Sequence, residues 1–198
     1  MSHSNSRKTV FYIVRIAMLA AISTVLMYFS IPIVGPYRLD FSNLAVIIGT
    51  FAMGPLAGII ILLIKDLLNM IMDPSTFGIG QLADFICSFF YIIPAGLIYM
   101  HRKSKKSAVT GLVTGSITAI IAACLSNYYV LIPLFSKAFH MSMNDYVSSF
   151  TNAIPLIKNF RDLIIFATIP FNLSKFGALS VITVYIYKHI SKLLAKLR

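Results

Sequence analysis

The chain consists of long apolar segments separated by short polar connections. Most of these segments run about 20 residues or more with almost no charge, the length of an α-helix that crosses a hydrocarbon core of roughly 30 Å. They are too long and too continuous for transmembrane β-strands, which alternate over roughly ten residues. The pattern therefore predicts an all-α integral membrane protein. The segments lie at about 10–34, 42–72, 79–100, 107–135 and 160–188.

The segment 42–72 is either one long helix or two short helices broken at Gly54-Pro55, and charge decides between them. Eleven of the 17 basic residues fall into three clusters. The positive-inside rule places every cluster in the cytoplasm, so an even number of crossings separates the first cluster from the second. Two helices must then share 42–72, with the break at glycine and proline, which interrupt helices. The clusters lie at 7–15, 102–106 and 188–198.

This parity predicts six transmembrane helices in a single domain, 1–198, with the N- and C-termini cytoplasmic. The two helices that share 42–72 have about 15 residues each, roughly 23 Å, so they are short for a bilayer. All six acidic residues then lie on or toward the outer side. The connection 136–159 also lies outside, where we expect a short surface helix that caps the protein. The approximate helix bounds are 10–32, 42–53, 55–73, 79–101, 107–135 and 160–190.

Composition supports the membrane assignment and excludes several other classes. Hydrophobic residues make up 58% of the chain and charged residues 12%, whereas about a quarter of a soluble domain is charged. The net charge of +11 sits at the ends of the spans, so it indicates orientation in the lipid bilayer and no nucleic-acid partner. Cys87 and Cys124 lie in apolar runs and are interpreted as core residues. No metal site and no catalytic set is recognised, so we expect no enzyme.

Lys175 and Asn172 share one face of the last predicted helix, near its middle. A lysine at the bilayer centre costs at least ~2.5 kcal/mol, so it should face protein or a water-filled cavity. In one interpretation Lys175 pairs with an aspartate and locks helices together. In the other, Lys175 and Asn172 form the polar end of a ligand pocket, with donors and an acceptor suited to a flat heterocycle. The 15 Phe and 10 Tyr could supply stacking surface for such a ring.

Other polar residues cluster in the outer half of the predicted helices. Asp66, Asn69 and Asp73 share one face of the third helix. Asn127 lies near the outer end of the fifth helix. The loop DPSTFGIGQLAD, 73–84, contains Gln81 and Asp84 but lacks the lysine of a phosphate-binding loop, so ATP hydrolysis is not expected here. In the first helix, Ala17 and Ala21 form a small-xxx-small pair that allows another helix to approach closely.

Several of these sequences, taken together, resemble the substrate-binding S components of energy-coupling factor (ECF) vitamin transporters. The resemblance covers roughly residues 10–190 and, within that superfamily, is greatest to the riboflavin-specific members. It is carried by six short hydrophobic helices, by the alanine pair of the first helix and by four motifs. The motifs are LDFSNLAVIIG and GPLAG in 39–58, LSNYYVLIPLF in 125–135 and PFNLSKFG in 170–177.

The resemblance implies a specific function and site. An S component binds its vitamin from outside with high affinity and hydrolyses nothing. It docks through the alanine face of its first helix onto a transmembrane coupling protein joined to two cytoplasmic ATPases, and delivers the vitamin inward. The implied location is the bacterial cell membrane, with no cofactor besides the transported riboflavin. Predicted substrate-binding residues are Asp40, Asp84, Asn127, Asn172 and Lys175, and the predicted partner interface is Ala17, Ala20 and Ala21.

Two alternatives stay open at this point. The chain could be an S component for another vitamin, such as pantothenate, thiamine or a queuosine precursor. It could also be a membrane structural or channel-forming protein in which Lys175 only locks helices together.

Overall fold

The computed structural model describes residues 2–196, with side chains described over 7–187, and most of these residues are helical. A two-stranded antiparallel hairpin follows the first helix. The elements, in chain order, are α1 (Ser2–Tyr28), β1 (Ile31–Val34), β2 (Tyr37–Leu39), α2 (Ser42–Met53), α3 (Pro55–Met72), a 3-10 turn (Pro74–Thr76), α4 (Ile79–His101), α5 (Lys105–Ser126), the π-helical segment π1 (Asn127–Leu131), α6 (Ile132–Ala138), α7 (Met143–Thr151), α8 (Phe160–Leu163), the π-helical segment π2 (Ile164–Thr168) and α9 (Ile169–Lys196).

Five helical stretches of the described chain are long and apolar enough to cross a membrane. Helix α2 is apolar but has only 12 residues, about 18 Å at the helical rise, which is less than a hydrocarbon core. The count of six full crossings therefore stays a prediction. The side chains of the basic cluster 188–198 lie outside the described residues. The five stretches are Arg7–Tyr28, Pro55–Met72, Ile79–His101, Lys105–Ala138 and Phe160–Tyr187.

Gly54 separates helix α2 from helix α3. Its φ of 100° lies in the region that glycine adopts without strain. Its amide still donates to Thr50 O at 2.9 Å, which closes the last turn of α2. Pro55 then begins α3, a position where the missing amide hydrogen costs nothing because the first helical N–H groups have no partner within the helix. The sequence GP thus ends one helix and begins the next.

Helix α1 ends earlier than the sequence predicts. The predicted helix runs to residue 32, but in the structure Ile31 pairs with Leu39 and Pro32 with Arg38 in the antiparallel hairpin. A proline has no amide hydrogen for a helical bond, so the extended hairpin is favoured at this position. The hairpin leads directly into Asp40 and carries Tyr37 and Arg38 to the edge of the helix bundle.

Two apolar clusters form the core. The larger cluster contains residues of the first five helices and of α9, with Tyr91, Tyr99 and Phe176 among its buried aromatic residues. The second joins the hairpin, the π segments and α6 to α8, and includes Tyr37 and Phe150. Within the connection 136–159, helix α7 is stabilised at its N-terminus by a capping box of Ser142 and Asp145. Residues of both clusters line a cavity between them.

Candidate functional site

A cavity of about 430 Å³ lies between the hairpin, the start of α4, π1 and α9. Five aromatic residues form much of its wall: Tyr28, Tyr37, Phe135, Phe171 and Phe176. Its polar lining consists of Ser30, Arg38, Asp40, Asn69, Asp73, Thr76, Gln81, Asp84, Asn127, Asn172 and Lys175. A larger groove of about 850 Å³ lies between α5 and α9, but it is mainly apolar and contains none of the predicted site residues. The polar chemistry is therefore concentrated in the smaller cavity.

All five residues predicted to bind substrate line this cavity. They come from the end of the hairpin, from α4, from π1 and from α9, and the folded chain brings them together from positions as far apart as 40 and 175. Each is between 4% and 8% exposed. The structure thus assembles them into one site, while their contact with a substrate stays a prediction. The five are Asp40, Asp84, Asn127, Asn172 and Lys175.

Lys175 is both paired and adjacent to the cavity. Its Nζ donates to Asp40 Oδ2 at 3.0 Å and to Asp84 Oδ1 at 2.7 Å. An ammonium has three N–H donors, so these two bonds leave one for a ligand. The same amine therefore ties α9 to the hairpin and to α4, and also faces space in which a ligand could sit. The two interpretations of Lys175 from the sequence, helix lock and pocket residue, are compatible in this geometry.

Lys65 is a functional candidate that the sequence analysis missed. It lies on α3 with no exposed surface, and its Nζ donates to Asp84 Oδ2 at 2.5 Å and to Asn43 Oδ1 at 3.2 Å. The signal was present, because a lysine in the middle of the apolar run IIILLIKDLLN carries the same insertion cost as Lys175.

The buried charges do not balance in number. The carboxylates of Asp40, Asp66 and Asp84 surround two ammonium groups, those of Lys65 and Lys175. Asp66 Oδ1 lies 3.2 Å from Lys65 Nζ, yet neither Asp66 oxygen makes a hydrogen bond with any described residue. Its contact with the neighbouring lysine is electrostatic only. Asp66 is therefore the least well satisfied carboxylate of the cluster.

Asn127 and Asn172 are placed by two irregular helical segments. Asn127 begins π1, and Asn172 follows π2 by one turn. The side-chain amide of Asn127 donates to Ala123 O at 2.8 Å, and that of Asn172 donates to Thr168 O at 2.9 Å. One N–H and the carbonyl oxygen of each side chain are then left over for other partners. Short π-helical insertions occur frequently at functional sites, where they turn a side chain away from the regular helical position.

The edge of the cavity is formed by the hairpin and the α3–α4 connection. Arg38 pairs with Asp73 at 2.5 Å, with side-chain exposures of 44% and 33%. Hydrogen bonds from Ser75 and from Arg38 hold the pKa of Asp73 below its usual value. Gln81 donates to Asn69 Oδ1 at 2.8 Å and links α4 to α3. These contacts tie the hairpin to the end of α3 at the side of the cavity.

Aromatic stacking supports the inner wall of the hairpin. Tyr37 and Phe171 stack with ring centroids 4.9 Å apart, and the Tyr37 hydroxyl lies 2.7 Å from Thr168 Oγ1. Burial raises the pKa of Tyr37, so its hydroxyl stays protonated. The two rings present flat apolar surface beside the polar groups of Asn172 and Lys175.

The three alanines of the predicted partner interface differ in exposure. Ala17 and Ala21 are exposed on the outer face of α1, as a helix-packing surface requires. Ala20 is only 1% exposed and packs in the larger core cluster. The part of Ala20 in a partner interface stays a prediction, since its side chain is covered by this chain's own core. The exposed candidate surface consists of Ala17 and Ala21.

The arrangement suits binding of a polar, planar organic ligand. Amide oxygens, a lysine N–H and stacked aromatic rings lie around one cavity, whose volume is typical of small-molecule sites. Among the described residues no group of His, Cys, Asp and Glu is placed to hold a metal ion.

Comparison with known proteins identifies relatives over nearly the whole chain. The chain is 32% identical to the riboflavin transporter RibU of Staphylococcus aureus strain TCH60 over 191 residues, which cover 93% of each protein. It is 32% identical to the riboflavin transporter FmnP of Bacillus subtilis strain 168 over 133 residues, 65% of this chain and 70% of that protein. RibU of Streptococcus thermophilus is 25% identical over 199 residues, 98% of this chain and 87% of that protein.

The fold has a solved counterpart. A structure described as "Structure and mechanism of the S component of a bacterial ECF transporter" superposes with a TM-score of 0.72 at 31% identity, covering 92% of this chain and 96% of that one. The predicted class of helical membrane protein is thereby confirmed. The profile of the family "ECF transporter, substrate-specific component" matches residues 11–187. The chain therefore belongs to the substrate-specific components of ECF transporters.

Proposed function

We propose that this chain is the riboflavin-binding subunit of an ATP-driven ECF importer in the bacterial cell membrane. It captures the vitamin from outside and delivers it inward after docking to an energising module. The relatives named above are riboflavin transporters, and one of them matches 93% of the chain. The chain is accordingly a transporter subunit and not an enzyme. The observation that carries the substrate proposal is the cavity lined by Lys175, Asn172 and Asn127 beside stacked aromatic rings.

The cavity offers what an isoalloxazine ring requires. Its volume of about 430 Å³ falls within the roughly 300–1,000 Å³ of small-molecule sites. The ring is flat and carries carbonyl and ring-nitrogen acceptors with one N–H donor. The third N–H of Lys175 and the remaining amide N–H groups of Asn127 and Asn172 would serve those acceptors, and an asparagine oxygen would accept from the ring. Tyr37 and Phe171 would contact its face.

Family membership implies that an ECF module is the partner. We infer that the module consists of a transmembrane coupling protein and two cytoplasmic ATPases. The exposed pair Ala17 and Ala21 on α1 would form the contact with the coupling protein, because small side chains allow two helices to approach closely. The energy source then lies on other subunits, while this chain supplies the specificity.

Equilibrium binding tests the substrate. Purified protein in detergent is titrated with riboflavin, and binding is followed by quenching of the flavin fluorescence. We expect submicromolar binding by the wild type and weaker binding by Asn127→Ala, Asn172→Ala and Lys175→Met. Lys158→Met, which changes an exposed lysine outside the cavity, is the matched control and should bind normally. Absence of binding by the wild type at submicromolar concentration would refute the assignment.

A vitamin panel separates riboflavin from the other vitamins. A ligand at 100 times its dissociation constant stabilises the folded state by about 2.7 kcal/mol. Thermal unfolding with riboflavin, pantothenate, thiamine or a queuosine precursor should therefore show a shift with riboflavin alone. A shift with another vitamin would reassign the substrate, and no shift with any of them would favour the structural-protein alternative.

A further inference from the structure

Lys65 is buried on α3 and does not line the cavity, yet it contacts the residues that hold Lys175. It has no exposed surface, and no part of it is among the cavity-lining residues. A lysine buried in a membrane-spanning helix is costly, so its charge is expected to have a role. The question is what its charge accomplishes at this position.

We propose that Lys65 is a positioning residue for the ligand site: it fixes both carboxylates that orient Lys175. The inference rests on the proposed function, since it assigns Lys65 to the site that would bind riboflavin. Lys65 itself would not touch the ligand. Its effect would pass through Asp84 and Asp40.

The first connection is through Asp84. This carboxylate is divided between two ammonium groups: Oδ2 accepts from Lys65 at 2.5 Å, and Oδ1 accepts from Lys175 at 2.7 Å. Asn43 on α2 donates to the same carboxylate at 3.3 Å. Lys65 in turn donates to Asn43 Oδ1, so it holds this second support as well. Only Oδ1 is left to face Lys175.

The second connection is through Asp40. Lys65 Nζ donates to Ser42 Oγ at 3.3 Å. Ser42 donates to Asp40 Oδ1 from its backbone N–H at 2.9 Å and also from its hydroxyl. Asp40 then accepts from Lys175 through its other oxygen, Oδ2, at 3.0 Å. Both counterions of Lys175 are thus anchored, directly or through one serine, to the same amine on α3.

Removal of Lys65 would change the orientation of Lys175. A carboxylate can offer both oxygens to one cation when the second oxygen is held only weakly. Without Lys65, Asp84 Oδ2 would keep only the longer bonds from Ser88 Oγ at 3.4 Å and from Asn43 Nδ2 at 3.5 Å, so both oxygens could turn toward Lys175 and occupy the N–H that the ligand would use. The cluster would also keep three carboxylates but only one ammonium, which strengthens this capture. The cavity would remain, with its main cationic donor redirected.

The test separates affinity from folding. Riboflavin titration of detergent-purified Lys65→Met yields both a dissociation constant and a bound stoichiometry. A positioning role predicts that the dissociation constant rises about tenfold to hundredfold, the range for loss of a hydrogen bond to a charged group. It also predicts that Lys65→Met has no further effect on the dissociation constant in a Lys175→Met background, because Lys65 acts through Lys175. Lys158→Met is the control lysine.

A charge-compensated variant protects the test against misfolding. Lys65→Met leaves Asp66 without its neighbouring cation, whereas Lys65→Met/Asp66→Asn removes both charges and should fold better. The proposal predicts weakened riboflavin binding by this folded double variant too. An unchanged dissociation constant with reduced stoichiometry, an equal loss in both Lys175 backgrounds, or failure of both variants to fold would each overturn it, since Lys65 would then only stabilise the fold. If the wild type binds no riboflavin, the proposed function itself fails.

Discussion

Three matched Asp→Asn substitutions in the buried charge cluster should differ sharply in their effect on stability. Each replaces a carboxylate by an amide of nearly the same shape, so the cavity and the packing change little. The structure gives the three carboxylates different numbers of bonds to ammonium groups. Asp84 accepts from Lys65 and Lys175, Asp40 accepts from Lys175, and Asp66 accepts from no described residue.

The expected losses follow from these bonds. A hydrogen bond to a charged group contributes about 1.5–3 kcal/mol. Asp84→Asn gives up two such bonds and should cost about 3–6 kcal/mol, and Asp40→Asn gives up one and should cost about half as much. Asp66→Asn gives up the ion pair with Lys65 at 3.2 Å, which includes no hydrogen bond, but it also removes the desolvation cost of a buried carboxylate, so its net cost should stay within about 1 kcal/mol. The expected order of destabilisation is therefore Asp84, then Asp40, then Asp66.

The chain provides a probe for this measurement. It contains no Trp but has two cysteines, and Cys87 is 7% exposed on α4. Cys87 lines the cavity, so a thiol-reactive fluorogenic dye too large to enter the cavity should label it as the bundle opens. The partly exposed Cys124 is replaced by serine in every variant so that it does not contribute. Thermal midpoints are compared in one detergent without ligand.

The outcome that would refute the reasoning is clear. At roughly 2–4 °C per kcal/mol for a chain of this size, Asp84→Asn should lower the midpoint by roughly 6–24 °C. A midpoint for Asp66→Asn as low as that for Asp84→Asn would show that hydrogen bonds to the lysines do not determine the stability of the cluster. An unchanged midpoint for Asp84→Asn would show the same.

Three further predictions concern the helix packing, the cavity edge and the partner surface. Gly111→Ala should destabilise the bundle by about 1–3 kcal/mol in thermal unfolding, because the new Cβ would lie 2.7 Å from Ala95 O, whereas Gly177→Ala meets nothing within 4 Å and is the control. Arg38→Gln should change stability by less than about 1 kcal/mol because its ion pair with Asp73 is partly exposed. The pKa of Asp73 is lowered in the folded state, so the contribution of this ion pair is present at neutral pH and is lost as the pH falls through that lowered pKa. The thermal midpoints of the variant and the wild type should therefore converge in acid. Ala17→Leu/Ala21→Leu should leave riboflavin affinity unchanged and reduce copurification with the ECF module. Val113→Leu, on the exposed face of α5, is the control. Normal copurification of the double variant would exclude the Ala17 and Ala21 face of α1 as the contact.

Hydropathy and the cost of buried charge identified much of the site from the sequence. Asn172 and Lys175 stood out because polar groups in a long apolar run require a partner or a cavity. The same rule applied to Lys65 would have found the second ammonium. What the sequence could not supply was the pairing, since Lys175 and Asp40 lie 135 positions apart. Charge alone shows that partners must exist and does not show which carboxylate each lysine meets.

The irregular elements were less accessible to prediction. The hairpin strands have four and three residues, and the apolar residues of β1 continue the hydrophobic run of α1, so hydropathy extends the predicted helix into β1. The π segments at Asn127 and Ile164 each lie within an apolar stretch, where one extra residue in a turn leaves no periodicity to read. Both kinds of element contribute residues to the cavity. The site therefore combines residues of regular helices with residues of the hairpin and of π1.

The two ion pairs of Lys175 explain how a buried binding site inside a membrane protein can contain an ammonium group. An ammonium waiting alone for a ligand would be an uncompensated buried charge, and its cost would fall on the unliganded state. Two carboxylates remove that cost in advance and still leave one N–H for the ligand. A ligand that had to break both ion pairs would lose much of its binding energy in doing so. The geometry therefore favours a ligand that adds its hydrogen bonds to the existing ion pairs, and a neutral ring with carbonyl and nitrogen acceptors meets that condition better than an anionic or cationic group.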